Sequence, residues 1–329
     1  MTARPETVID RVTLIVSDLD RAEDDYASTF GCSVEERGDI DPALVRVLCI
    51  RQARGRRSLL RLGRERIELL EFMDSVGRPY PPGSTSTDLW FQHMAIVVND
   101  MRHAYQLVMA NRRFRPISRN GPVRLPDNSG GVTAFKFRDH DGHPLELLAF
   151  PDGHVPAEWR RANGAGSFLG VDHTAIGVSD SVRSARFFGS VFGFSTGTRT
   201  ENRGPEQADL DDVEDVHVSV TRLAPDRPAP RLELLDYHVR TRRPIPRETA
   251  SNDIVATHCV VGVASLDATV AALARRGTPL AGDDHMILHG GVRAALVSGP
   301  DGHRFLVQER TAAAAGAAPG PAQAGKQGA

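Results

Sequence analysis

The stretch "LWFQHMAIVVND", residues 89–100, sets one imidazole, His93, at the mouth of an apolar run that ends in Asn99-Asp100. Strand side chains alternate faces. His93, Ala95 and Val97 therefore share one side, and Met94, Ile96 and Val98 share the other, the side expected under helices. The pattern returns in "VDHTAIGVSD" (171–180), where His173 lies with Ala175 and Gly177, and in "ATHCVVGVAS" (256–265), which carries His258. Small residues on the histidine side leave room for a bound molecule.

These runs belong to a longer repeat. "VTLIVSDLDRAEDDYASTFG" (12–31), "MAIVVNDMRHAYQLVMANRR" (94–113), "TAIGVSDSVRSARFFGSVFG" (174–193) and "CVVGVASLDATVAALARRG" (259–277) each read as a strand, a polar helix start and an amphipathic helix. Gly31, Gly193 and Gly277 close three of the helices, where a left-handed cap is needed. Extended segments follow each copy. "HDGH" (140–143) and "PDGH" (300–303) supply the Asp-Gly of a hairpin between apolar runs. The unit is β-α-β-β-β, four times over. The fold expected is α+β, with units one and two as an N-terminal domain (8–150) and units three and four as a C-terminal domain (169–310). A Pro/Gly/Ala-rich bridge (151–168) joins them, and an Ala/Gly/Pro/Gln tail (311–329) should be disordered. "RPYPPGSTSTD" (78–88) and "RPIPRETASND" (243–253) read as linkers between paired units.

Bulk properties narrow the function. The chain has 329 residues, 40% of them hydrophobic, and a formal net charge of -2. Near-neutral charge gives no reason to expect nucleic acid or an anionic membrane as partner. No apolar run approaches a membrane span, and the N-terminal "MTARPETVIDRV" lacks the apolar core of a signal peptide. Cys32, Cys49 and Cys259 are few, odd in number and scattered, as expected of reduced thiols in a cytoplasmic protein. The cations are nearly all arginine; Lys136 and Lys326 are the two lysines.

The closing strands hold the chemistry. "RIELLEF", "PLELLAF" and "RLELLDY" place Glu68, Glu146 and Glu233 between large aliphatics. Burying a carboxylate without a cation or several donors is costly. Histidines and carboxylates converging from different strands make a divalent-metal site.

The repeat, with "QHMAIVV", "DHTAIGVSD" and "DGHPLELLAF", resembles the vicinal oxygen chelate superfamily over about residues 8–310. That superfamily includes glyoxalase I, fosfomycin and bleomycin resistance proteins, and extradiol ring-cleaving dioxygenases. The resemblance implies four βαβββ modules paired into two cupped mixed sheets, a metal held by first and last strands, a small-molecule substrate, and a homodimer as one possible assembly. Carried over by position, the first half offers Arg11, Glu68, His93 and Glu146, and the second offers His173, Glu233, His258 and Leu306. Neither arginine nor leucine ligates a metal. The expectation taken forward is a metal set of His173, Glu233 and His258, the composition of an open Fe(II) site. Tyr237 and His217 are its candidate catalytic groups, and the reaction would be a dioxygenase-like oxidation of a catechol- or polyketide-like molecule. Leu306, where ring-cleaving enzymes place a carboxylate, counts against it. Glu68, His93 and Glu146 form the alternative set, for a glyoxalase-like lyase or isomerase with Zn, Ni or Mn. In the structural reading of Glu68, Arg11 simply neutralises it. A drug-binding protein without chemistry is the third reading. His285 and His289 are further candidates for proton transfer. "NRGPEQADLDD" (202–212) would be a loop over the second cup.

Overall fold

The computed structural model describes residues 6–160, 166–227, 230–282 and 286–310. The central part of the expected bridge, the expected disordered tail and His285 lie outside them. The first module comprises β1 (Val8–Ile15), α1 (Leu19–Phe30), β2 (Ser33–Asp39), α2 (Pro42–Val47), β3 (Gly55–Leu62) and β4 (Glu65–Phe72). The second comprises β5 (Gln92–Val98), α3 (Met101–Ala110), β6 (Arg115–Pro116), β7 (Val123–Arg124), β8 (Thr133–Arg138) and β9 (Pro144–Ala149). The third has β10 (Phe168–Gly177), α4 (Ser181–Phe192), β11 (Ser195–Arg203), α5 (Pro205–Asp211), β12 (His217–Ala224) and β13 (Arg231–Tyr237). The fourth has β14 (His258–Val263), α6 (Leu266–Arg275), β15 (Met286–Ile287), β16 (Arg293–Ser298) and β17 (Arg304–Glu309).

The four repeated helices start as their sequence requires. The side chains of Asp18, Asp100, Asp180 and Ser265 accept from the amides of Arg21, His103, Arg183 and Ala268, each cap contributing about 1 kcal/mol. Gly31 and Gly193 adopt the left-handed conformation after α1 and α4, with φ of 73° and 76°. One apolar cluster then joins these helices to strands of both sheets. Met94, Ile96 and Val98 enter it, as the alternation in the opening stretch requires. No helix among the described residues is long and apolar enough to cross a membrane.

The strand order corrects one expectation. The first sheet runs β15-β16-β17-β14-β1-β4-β3-β2, and the second runs β11-β12-β13-β10-β5-β9-β8-β6. Module one thus shares its sheet with module four, and module two with module three. Within a module, first and last strands pair in parallel; between modules, first strands pair antiparallel, β1 with β14 and β5 with β10. Consecutive modules meet on the other side, through aromatic side chains. Phe30 of module one stacks on Phe114 of module two, and Phe188 of module three packs edge-on against Phe305 of module four. The physical reason is that each first strand exposes one unpaired edge, and all four edges carry the same pattern.

The two linkers lock the arrangement reciprocally. The Leu89 amide donates to Arg243 O and the Ile254 amide to Arg78 O, while Arg243 pairs with Asp88 and Arg78 with Asp253, both ion pairs at 2.6 Å.

A buried network ties module one to module two at the 139–143 turn. Asp139 Oδ2 receives the Tyr26 hydroxyl at 3.1 Å and lies 2.9 Å from His143 Nδ1, whose Nε2 faces Ile254 O at 3.1 Å. Burial opposes both charges, but the pair overcomes it: His143 is raised above 6.5 and Asp139 lowered below 3.8. The histidine contribution is complete below pH 6.5 and fades as pH rises through its folded value; the aspartate contribution is complete above pH 3.8 and fades as pH falls through its own. Asp139→Asn is expected to cost about 3 kcal/mol between those limits. The deficit should shrink at alkaline pH. Urea unfolding of both proteins across pH 4–9 checks this, and a deficit that does not vary with pH would contradict it.

Candidate metal centre

The concave face of the second sheet gathers four donors around two alanines. In register, Ala95 has Glu146 on one side and His173 on the other, and Ala175 has His93 on one side and Glu233 on the other. Neither alanine reaches past Cβ, so the longer side chains lean over them: His93, Glu146 and His173 each place a donor atom within 4.8 Å of the others, and Glu233 lies beside His173. Nε2 of His93 lies 3.0 Å from Glu146 Oε2, and Nε2 of His173 lies 3.6 Å from Glu146 Oε2 and 3.5 Å from Glu233 Oε2. All four residues are buried.

The electrostatics are those of a site that holds a cation. His93 is close to Glu146 yet out of line for a hydrogen bond, so both its ring nitrogens lack a partner. Burial pushes this imidazole below its ordinary range despite Glu146. His173 feels the same burial, but Glu233, Asp172 and Glu146 together raise it to about 10. Burial also opposes the charge on Glu146, and His93, His173 and Lys136 outweigh it, leaving the carboxyl well below its usual range. A divalent ion would serve these two carboxylates as the His173 proton does here. Nδ1 of His173 is 3.0 Å from Asp172, which in turn accepts from Trp159 at 2.8 Å and Arg231 at 2.6 Å. Such an outer carboxylate fixes the ring so that Nε2 faces inward. Two imidazoles and the Glu146 carboxylate, with Glu233 beside them, suit divalent ions such as Zn²⁺, Ni²⁺, Mn²⁺ or Fe²⁺.

Above the donors is a cavity of about 500 Å³, walled by Leu125, Leu148, Val218, Val220 and Leu235. Lys136, the register partner of Glu146 on β8, lines it and gives its ammonium to Asp211 of α5 at 2.6 Å. Tyr237 also lines the cavity, but its hydroxyl donates to Asp211 Oδ2 at 2.9 Å, and burial beside that carboxylate raises the phenol well above its usual range. The stretch 202–212 is therefore the end of β11 and the helix α5, pinned over the cup rather than an open loop.

The first sheet repeats the geometry with different residues. Thr13 stands between Glu68 and His258, and Val260 between Arg11 and Leu306. Larger Thr13 and Val260 fill the centre where alanines stand in the other cup. Glu68 is neutralised by Arg11 at 3.1 Å and accepts from the Thr13 hydroxyl at 2.9 Å. Burial would raise this carboxyl, but Arg11 and Arg57 hold it below its ordinary value. The short helix α2, counterpart of α5, packs Leu44 and Val45 with Leu306, Val260 and Leu70 in one apolar cluster. His258 is buried and pushed down to about 4.

The site expectations are accordingly redistributed. His173 and Glu233 meet, but His258 belongs to the other cup, so the three-ligand iron set is not assembled. His93 and Glu146 meet, but Glu68 is elsewhere, so the alternative set is not assembled either. The physical cause in both cases is the cross-pairing of first strands. His217 lies on the opposite face of β12 from the cavity residues Val218 and Val220, so it is not a catalytic group of this cup. His289 follows β15 in the first sheet, away from this cup. Sequence reasoning missed Asp172, Lys136 and Asp211; the Asp-His dipeptide at 172–173 was the available signal for the first.

Comparison with known proteins agrees with this architecture. Glyoxalase I from Zea mays superposes with a TM-score of 0.63 at 17% identity, covering 93% of each chain. A putative dioxygenase from Bacillus subtilis subsp. subtilis str. 168 gives 0.53 at 13% identity, covering 93% of this chain and 86% of its own. At such identities the likeness is one of fold. Among curated proteins none matches. The family model of the Glyoxalase/Bleomycin resistance protein/Dioxygenase superfamily matches residues 8–147 and 170–307, and the chain belongs to that superfamily.

Proposed function

We propose that the second cup is the active site of a divalent-metal isomerase or lyase acting on a small α-hydroxy carbonyl compound with an apolar body. The convergence of His93, Glu146 and His173, with Glu233 beside His173, carries this reading. Iron-dependent ring cleavage is the second reading, because His93, His173 and Glu146 are themselves two imidazoles and one carboxylate, the composition that chemistry needs on one ion. Glu233, 3.5 Å from His173 Nε2, adds beside that set a second carboxylate, which favours proton transfer. A bound divalent ion would supply Lewis acidity toward adjacent substrate oxygens.

The two carboxylates divide the work. Glu146 sits between both imidazoles, opposite Lys136, and serves as the fixed anion. Glu233 is held from outside the cluster by Arg222 Nε at 3.1 Å. It is the carboxylate placed to take a proton from the carbon beside a carbonyl and return it to the neighbouring carbon. That transfer is internal to the substrate and consumes no O₂. The aliphatic wall excludes water from the exchanging proton and accommodates the apolar body.

Metal titration of chelator-treated protein tests the site. His93→Ala and Glu146→Gln are expected to abolish binding of Zn²⁺ or Ni²⁺ in the cup, whereas His258→Ala leaves it unchanged. A loss of affinity in His258→Ala would restore the iron set. The chemistry is tested with metal-loaded protein and a panel of α-hydroxy carbonyl compounds, following product formation by NMR. Glu233→Gln should lower turnover by about 100-fold or more while the metal stays bound. Substrate-dependent O₂ consumption, or full activity in Glu233→Gln, would sink the assignment.

A further inference from the structure

A second constellation lies on the other face of the same sheet. Residues 198, 200 and 202 of β11 and 218, 220 and 222 of β12 line the cavity, so Glu201, His217 and Ser219 point away from it. Register brings them together: Ser219 is opposite Glu201, and the amide of His238, just past β13, donates to His217 O at 2.8 Å. The imidazoles of His217 and His238 stack with centroids 4.4 Å apart and planes at 27°. Both Nε2 atoms face Glu201 Oε2, at 2.8 Å for His217 and 3.9 Å for His238. The three donor atoms all lie within 4.8 Å of one another.

We infer that Glu201, His217 and His238 form a second divalent-metal site, for a borderline ion such as Zn²⁺ or Ni²⁺, distinct from the cup and independent of its function. Each ligand comes from a different chain segment: β11, β12 and the exit of β13. The neighbouring charges fit an ion here. Arg199 occupies Glu201 Oε1 at 3.0 Å and Ser219 at 2.9 Å, leaving Oε2 toward the rings. Ser219 Oγ lies 2.8 Å from Oε2 and 2.7 Å from His238 Nε2, which orients both donors before any ion arrives. Asp236, beside Ser219 in register, is already engaged by Arg242 and the Ser181 amide and does not compete. The ligands are about 40% exposed at the side chain, at 37% for Glu201 and His217 and 41% for His238, so an ion enters directly from solvent. Two imidazoles and one carboxylate leave a fourth tetrahedral position for water or a second molecule. An ion here would clasp the edge strand β11 to β12 and β13.

Zn²⁺ titration of the full chain against a chromogenic chelator, with thermal melting alongside, separates the two sites. Wild type should bind two equivalents, His217→Ala/His238→Ala one, and His93→Ala/Glu146→Gln one. In the last variant the Zn²⁺-dependent rise in Tm should persist, and adding Glu201→Gln should remove it. Should the cup bind nothing, the remaining equivalent would still vanish in His217→Ala/His238→Ala. Circular dichroism confirms that each variant is folded, and Glu201→Gln, which conserves shape, stands in for a histidine variant that is not. Unchanged stoichiometry in folded His217→Ala/His238→Ala or Glu201→Gln would overturn the inference.

Discussion

The antiparallel pairing of β5 with β10 is the constraint on which the site depends. It sets His173 opposite Ala95 and His93 opposite Ala175. Each alanine is flanked on its other side by a last-strand glutamate, Glu146 or Glu233. A shift of one residue would send every one of these side chains to the helix side of the sheet. The apolar partners of that alternation, Met94, Ile96 and Ile176, are buried in the core between the sheets and hold the register. Site geometry and core packing are thus two faces of one strand pairing.

The duplication shows what happens when the same geometry is released from that chemistry. Position for position, the first cup has Arg11 for His93, Leu306 for Glu233, Thr13 for Ala95 and Val260 for Ala175. Glu68 and His258 remain, but a guanidinium now supplies the positive charge, and an arginine cannot give up a coordination position. The helix α2 fills the hollow with Leu44 and Val45, whereas its counterpart α5 presents Gln207 and Asp211, which spend their polar groups on Lys136, Tyr237 and Asn202. A buried carboxylate needs a cation in either cup; the two cups solve that requirement with different ones.

Much of this was legible in the chain before any coordinates. Alternation placed His93 and the alanines on one face, capping residues located the helices, and the glutamates stood out as charges in apolar strands. The pairing of modules was not legible. All four first strands offer similar edges, so nothing local distinguishes β5 with β10 from β1 with β5, and a candidate ligand set drawn from either half mixes residues of both cups. His217 was misassigned for a different reason. Its parity relative to Val218 and Val220 was readable, but which parity faced the cavity depended on Glu233 and Leu235 across β13. Asp172, Lys136 and Asp211 escaped because their roles come from partners far away in sequence.

Anomalous diffraction from crystals grown with Zn²⁺ or Ni²⁺, recorded at the metal edge, tests the central claim most directly. A peak is expected in the second cup within coordination distance of Nε2 of His93 and His173 and of the Glu146 carboxylate, with none beside His258. A peak ligated by His258 and Glu68, or a second cup that stays empty at saturating metal, would contradict it.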